Sequence, residues 1–72
     1  SMTKYLLILQ VCSFLTGECK SPVEIEQKYN SWYECAAAGS LNSLTLLQAE
    51  GAEAINEYKL SVKYGCLEVF EI

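Results

Sequence analysis

The chain reads as an α+β domain: a split β-α-α-β unit in which one long and one short helix cover one face of a two-stranded sheet. Three observations predict this. An apolar run near the N-terminus alternates with the period of a strand, positions three and four apart from Tyr29 to Leu47 carry the period of a helix, and the last dozen residues return to strand character. A chain of 72 residues has room for one hydrophobic core, so residues 1–72 form a single domain. The composition, 51% apolar and 19% charged, is too hydrophobic for an intrinsically disordered segment. No internal repeat, low-complexity tract or linker interrupts it.

Residues 4–15 form the first expected strand, with Leu6, Ile8, Gln10, Cys12 and Phe14 on one face and Tyr5, Leu7, Leu9, Val11, Ser13 and Leu15 on the other. Both faces are apolar, the pattern of a strand covered on both sides. The competing reading is a retained secretory signal, because Lys4 followed by Tyr5 to Leu15 imitates its charged and hydrophobic parts. No small-residue cleavage site comes after it, and Glu18 ahead of Cys19 does not fit a lipoprotein signal. The run is also shorter than the roughly 20 residues needed to cross a bilayer. Ser1 ahead of Met2 reads as a cloning remnant, which puts the native start at Met2.

Thr16-Gly17 ends the strand, glycine giving a turn at little steric cost. Ser21-Pro22-Val23-Glu24 has the form of a helix start, with Ser21 as N-cap and Pro22 in the first turn. Val23 to Glu26 also alternates with period two, as an extended connector would, so the secure helix is placed from about Glu26. Its stripe runs through Tyr29, Trp32, Tyr33, Ala36, Ala37, Ser40, Leu41, Leu44 and Leu47. Gly39 costs this helix about 1 kcal/mol relative to alanine, and with Ala36, Ala37 and Ala38 it makes a smooth surface for close packing on the strands. Gly51 is the expected C-cap. A shorter helix from Ala52 to Leu60 turns Ile55 and Tyr58 inward, and Ser61 to Ile72 closes the fold as a strand in which Gly65 marks a bulge or a close contact.

A two-stranded sheet is marginal in water and leaves an apolar face and edges uncovered. The expectation is a homodimer, or a complex with another protein, that continues or covers the sheet around residues 5–11. Its interface residues are Tyr5, Leu7, Leu9 and Val11, joined by Trp32 and Tyr33 as aromatic anchors. Helical spacing makes a core position the competing reading for the two aromatics.

Four cysteines in a small domain raise a disulfide framework over free thiols or a metal site. Of three pairings, the preferred one joins Cys12 to Cys66 between the terminal strands and Cys19 to Cys35 between the connector and the long helix. A zinc site is disfavoured because no C-x-x-C knuckle exists. Histidine is absent, which removes the commonest general base and the usual partner of a nucleophilic cysteine. Among the nine glutamates no pair stands out as an acid/base couple, and there is no phosphate-binding glycine loop or nucleophile elbow. The reading is therefore a non-enzyme with no catalytic residue, no cofactor and no metal ligand. A formal net charge of −4, five scattered lysines and no arginine argue against nucleic acid or an anionic membrane as partner.

The run Cys12-Ser13-Phe14-Leu15-Thr16-Gly17-Glu18-Cys19, Pro22, Trp32-Tyr33-Glu34-Cys35 and a last Cys66 resemble small four-cysteine proteins of marine phages and bacteria. That group has no assigned activity, so the resemblance implies an origin and carries over no functional residues. Two function classes remain: a noncatalytic interaction protein, self-assembling or docking on a host protein, and a thiol-dependent protein that responds to redox state or binds metal. Persistent disulfides imply an oxidising compartment, free thiols the cytosol.

Overall fold

The computed structural model describes residues 2–71, in the order β1 (Met2–Ser13), β2 (Val23–Tyr29), α1 (Trp32–Glu50), α2 (Ala52–Tyr58) and β3 (Leu60–Glu71). The class is α+β, as expected, but the sheet has three antiparallel strands in the order β2-β1-β3. The apolar N-terminal segment becomes the central strand, paired along its full length with β3 and over part of it with β2. Residues 2–13 are thus integral to the domain, the role the strand reading gave them.

The third strand is the main correction. Val23 to Tyr29, expected as part helix start and part connector, pairs with β1 as Tyr5↔Tyr29, Leu6↔Lys28, Ile8↔Glu24 and Leu9↔Val23, with an irregularity between Leu6 and Ile8. The physical reason lies in the residues. Val23, Ile25 and Tyr29 keep the two-residue period, and Pro22 stands just before the strand, where its missing N–H costs the ladder nothing. The helix begins at Trp32, not near Glu26, and its N-cap is Ser31, whose Oγ accepts a bond from the Glu34 amide at 3.1 Å. Ser21 caps nothing, and Tyr29 belongs to β2 rather than to the helical stripe.

The odd-numbered face of β1 is the one that α1 covers. Leu7, Leu9 and Cys35 form the buried centre, and Tyr5, Ile25, Tyr29, Ala38, Leu46, Val62 and Cys66 pack around it. Leu7 and Leu9 are 0% and 1% exposed and Val11 is buried beside them, so these three are core residues with no surface to offer a partner. The expected interface on residues 5–11 is corrected accordingly: the protein's own helix occupies that face. Each fully buried aliphatic side chain contributes about 1.5–3 kcal/mol.

Gly39 is where the helix meets the sheet most closely. A Cβ on it would lie 2.3–2.7 Å from the Cδ1, Cε1 and Cγ atoms of Tyr64, so only glycine lets the ring lie flat against the helix. Gly51 ends α1 with φ +87° and donates its N–H to the Leu47 carbonyl at 3.1 Å. Gly65, by contrast, marks neither a bulge nor a tight contact: the β1–β3 register is unbroken and a Cβ there would meet open space.

Candidate protein-interaction surface

Both disulfides follow from the register. Cys12 lies opposite Ser61, and Cys66 lies opposite Leu7, five positions away and on the other face of the sheet. About 17 Å of strand separates them, so the expected Cys12–Cys66 bond cannot form. Cys12 pairs instead with Cys19. Ser13 N–H donates to the Glu18 carbonyl and Lys20 N–H to the Val11 carbonyl, both at 2.8 Å, which makes Cys12 and Cys19 the non-hydrogen-bonded pair between them, where side chains come closest.

Cys35, on the sheet-facing side of α1, pairs with Cys66, on the helix-facing side of β3. The expected Cys19–Cys35 bond fails because Cys35 is fully buried in the core while Cys19 lies on the exposed segment beside β1. All four cysteines are oxidised, in a pairing different from the one the sequence favoured. On the chain-entropy account, closing the shorter loop stabilises by about 2.5 kcal/mol and the longer by about 3.7 kcal/mol. The second bond also straps α1 to the strand below it.

That strap fixes which side of α1 faces outward. Cys35, Gly39 and Leu46 point at the sheet, and the positions half a turn away are Tyr33, Ala37, Leu41, Leu44 and Gln48. Leu41 is 69% and Leu44 54% exposed, and Tyr33 is more exposed than either. From Ala36 to Ala49 the helix carries no charged residue on any side. A solvent-facing helix of a globular domain normally turns charges outward, whereas the outer side of this one offers leucines among the uncharged polar residues Ser40, Thr45 and Gln48. Here the sheet covers one side only. A shallow groove between α1 and β2, lined by Lys28, Tyr29, Tyr33, Glu34, Ala37 and Leu41, adjoins this surface.

The remaining expected interface residues fall near one end of the helix. Trp32 is exposed in the first turn and meets the Tyr5 ring edge-on at 5.8 Å, so Tyr5 and Trp32 form one aromatic pair. Tyr33 points away from it, into the exposed stripe. Sequence reasoning named Tyr33 but folded Leu41 and Leu44 into a core-facing stripe. The absence of any charge between Glu34 and Glu50 was the available signal that both sides of this helix needed a reading.

On the opposite side of the sheet, Ile8, Gln10, Pro22, Lys63, Gly65 and Leu67 line a second shallow depression. Lys20 bonds both carboxylate oxygens of Glu50 at 2.8 and 2.9 Å, tying the Cys19 segment to the end of α1. No group of acidic, histidine or cysteine side chains among the described residues is arranged to hold a metal ion. No helix among them is long and apolar enough to cross a membrane.

The fold and surface define a small disulfide-clamped α+β domain that presents one uncharged helix face. No protein-family model matches the chain, and neither a curated protein nor a solved structure matches it.

Proposed function

We propose that the chain is a noncatalytic interaction module that engages another protein through the outer face of α1. The observation that carries this is the run from Ala36 to Ala49, uncharged throughout and exposed at Leu41 and Leu44. Exposed leucines on an uncharged surface, flanked by Glu34 and Glu50, match the charge-depleted centre and charged rim of a docking site. The acidic balance of the chain favours a partner whose own rim is basic.

The test is a titration with an apolar fluorescent dye, anilinonaphthalene sulfonate, on the oxidised protein and its Leu41→Glu/Leu44→Glu variant. Both leucines are exposed, so the variant should keep its melting temperature and lose the dye signal. A native protein that does not enhance the dye, or a variant that enhances it equally, would overturn the reading.

The thiol-dependent alternative rests on one observation. The Cys12–Cys19 bond reaches the surface at Cys19, so a reductant can attack it without unfolding the core. As a metal site it would need thiolates, and both pairs are oxidised. Unchanged dye binding and partner capture after selective reduction of this bond would argue against a redox role.

A further inference from the structure

We propose that β3 pairs antiparallel with β3 of a second copy, about a two-fold axis at Leu67, joining two sheets into one of six strands. The proposal rests on the interaction reading and adds a second, self-complementary surface to it.

The two edges of the sheet differ. β2 is short, irregular and charged at Glu24, Glu26 and Lys28, the features that blunt an edge against further pairing. β3 is 12 residues long, regular throughout, and has no strand on its outer side among the described residues. Its free groups can be assigned. Phe14 N–H donates to the Lys59 carbonyl at 2.8 Å, one position beyond the Ser13↔Leu60 pair. Odd-numbered β3 residues therefore bond inward to β1, and Val62, Tyr64, Cys66, Glu68 and Phe70 turn N–H and C=O outward.

Register is set by the residues that would face each other. An axis at Glu68 sets Glu68 against Glu68, which like charge disfavours. An axis at Gly65 opposes Val62 to Glu68 and Lys63 to Leu67, and one at Cys66 opposes Tyr64 to Glu68 and Lys63 to Val69. An axis at Leu67 opposes Leu67 to Leu67, Tyr64 to Phe70, Gly65 to Val69 and Cys66 to Glu68, and sets Lys63 at the register position of Glu71. Of these four registers only this one makes an aromatic cross-strand pair. Tyr64, Leu67 and Phe70 are all exposed in the single chain, and Leu67 is 53% so. Pairing of 64 with 70 and of 66 with 68, twice over by symmetry, gives roughly eight backbone hydrogen bonds.

The area argues the same way. The chain exposes 5109 Å², whereas a folded monomer of its mass, 8.0 kDa, exposes about 4,450 Å². The surplus, about 650 Å² per chain, approaches the roughly 800 Å² that each partner buries in a stable interface.

The experiment is sedimentation equilibrium at micromolar concentration of the oxidised protein, its Leu67→Lys variant and the Leu41→Glu/Leu44→Glu variant, with isotope-filtered NOE spectra of a mixed labelled and unlabelled sample. The expected result is a dimer with intermolecular contacts between Tyr64 and Phe70, weakened at least tenfold by Leu67→Lys, which sets two lysines directly opposite, and unaffected by the α1 variant. A monomeric wild type, or a dimer lacking those contacts, overturns the β3 pairing. A dimer dissolved by the α1 variant and not by Leu67→Lys overturns it while leaving the α1 interaction standing.

Discussion

Replacing Gly39 with alanine tests the closest contact between helix and sheet. In a solvated helix the change would stabilise by about 1 kcal/mol, the difference in intrinsic propensity. Here the new methyl group would sit 2.3, 2.4 and 2.7 Å from Tyr64 Cδ1, Cε1 and Cγ, against an ordinary carbon contact of about 3.5–4.0 Å. Cγ cannot swing away at the end of a flexible chain, since one bond ties it to the Cβ of a residue paired in β3. The ring must leave the helix, and because Tyr64 is 41% exposed it has somewhere to go. Overpacking of this kind costs about 1–3 kcal/mol. The expected net loss for Gly39→Ala is about 1 kcal/mol. In a Tyr64→Ala background the clash vanishes and the same substitution should gain about 1 kcal/mol, a coupling near 2 kcal/mol. Urea unfolding of the four proteins with disulfides intact measures it. A coupling below about 0.5 kcal/mol would refute the packing, because residues not in contact add independently.

Other outcomes rest on single contacts. Ser13 is buried, donates to the Tyr58 carbonyl at 2.6 Å and accepts from the Leu15 and Thr16 amides at 3.2 and 3.1 Å. Ser13→Ala should therefore lower the unfolding free energy by about 2 kcal/mol, read from urea denaturation. Lys59 ends α2 with φ +53°, a conformation that favours glycine, so Lys59→Gly should raise the melting temperature, by about 0.5–1 kcal/mol in stability. Timed reduction and alkylation should open Cys12–Cys19 before Cys35–Cys66, since Cys35 is fully buried and Cys19 is exposed; mass mapping of the partly reduced species gives the order.

The parts of the fold legible in the sequence were those with an unambiguous period. The first strand, the far end of the long helix with its Gly51 cap, and the closing strand all lie within a few residues of where alternation or helical spacing put them, whereas the helix starts at Trp32, six residues past the expected Glu26. The third strand was obscured by two sequences of the same form. Ser21-Pro22-Val23-Glu24 reads as a helix start, and Ser31-Trp32-Tyr33-Glu34, which has the same S-x-x-E form, falls inside the expected helix, yet only the second is a start. The two part company downstream: beyond Ser21 the apolar residues keep a period of two, beyond Ser31 they change to 3.6. The disulfides failed at the level of pairing because connectivity depends on register and face. With β1 and β3 antiparallel, a thiol at position 12 and one at 66 sit at different heights and on opposite sides. The exposed stripe of α1 was hidden because a helix with leucines on both sides shows a core stripe and an exposed stripe with the same spacing.

Cys35–Cys66 straps α1 to β3 on the side of the helix away from Leu41 and Leu44, which stay exposed. Tryptic digestion without reductant tests it directly. Cleavage after Lys4, Lys20, Lys28, Lys59 and Lys63 leaves Cys12 and Cys19 together in residues 5–20, Cys35 in residues 29–59 and Cys66 in residues 64–72. The expected spectrum holds an internally bridged 5–20 peptide and a linked pair of 29–59 with 64–72. A 5–20 peptide joined to either of the others would contradict the strap and, with it, the orientation of the helix.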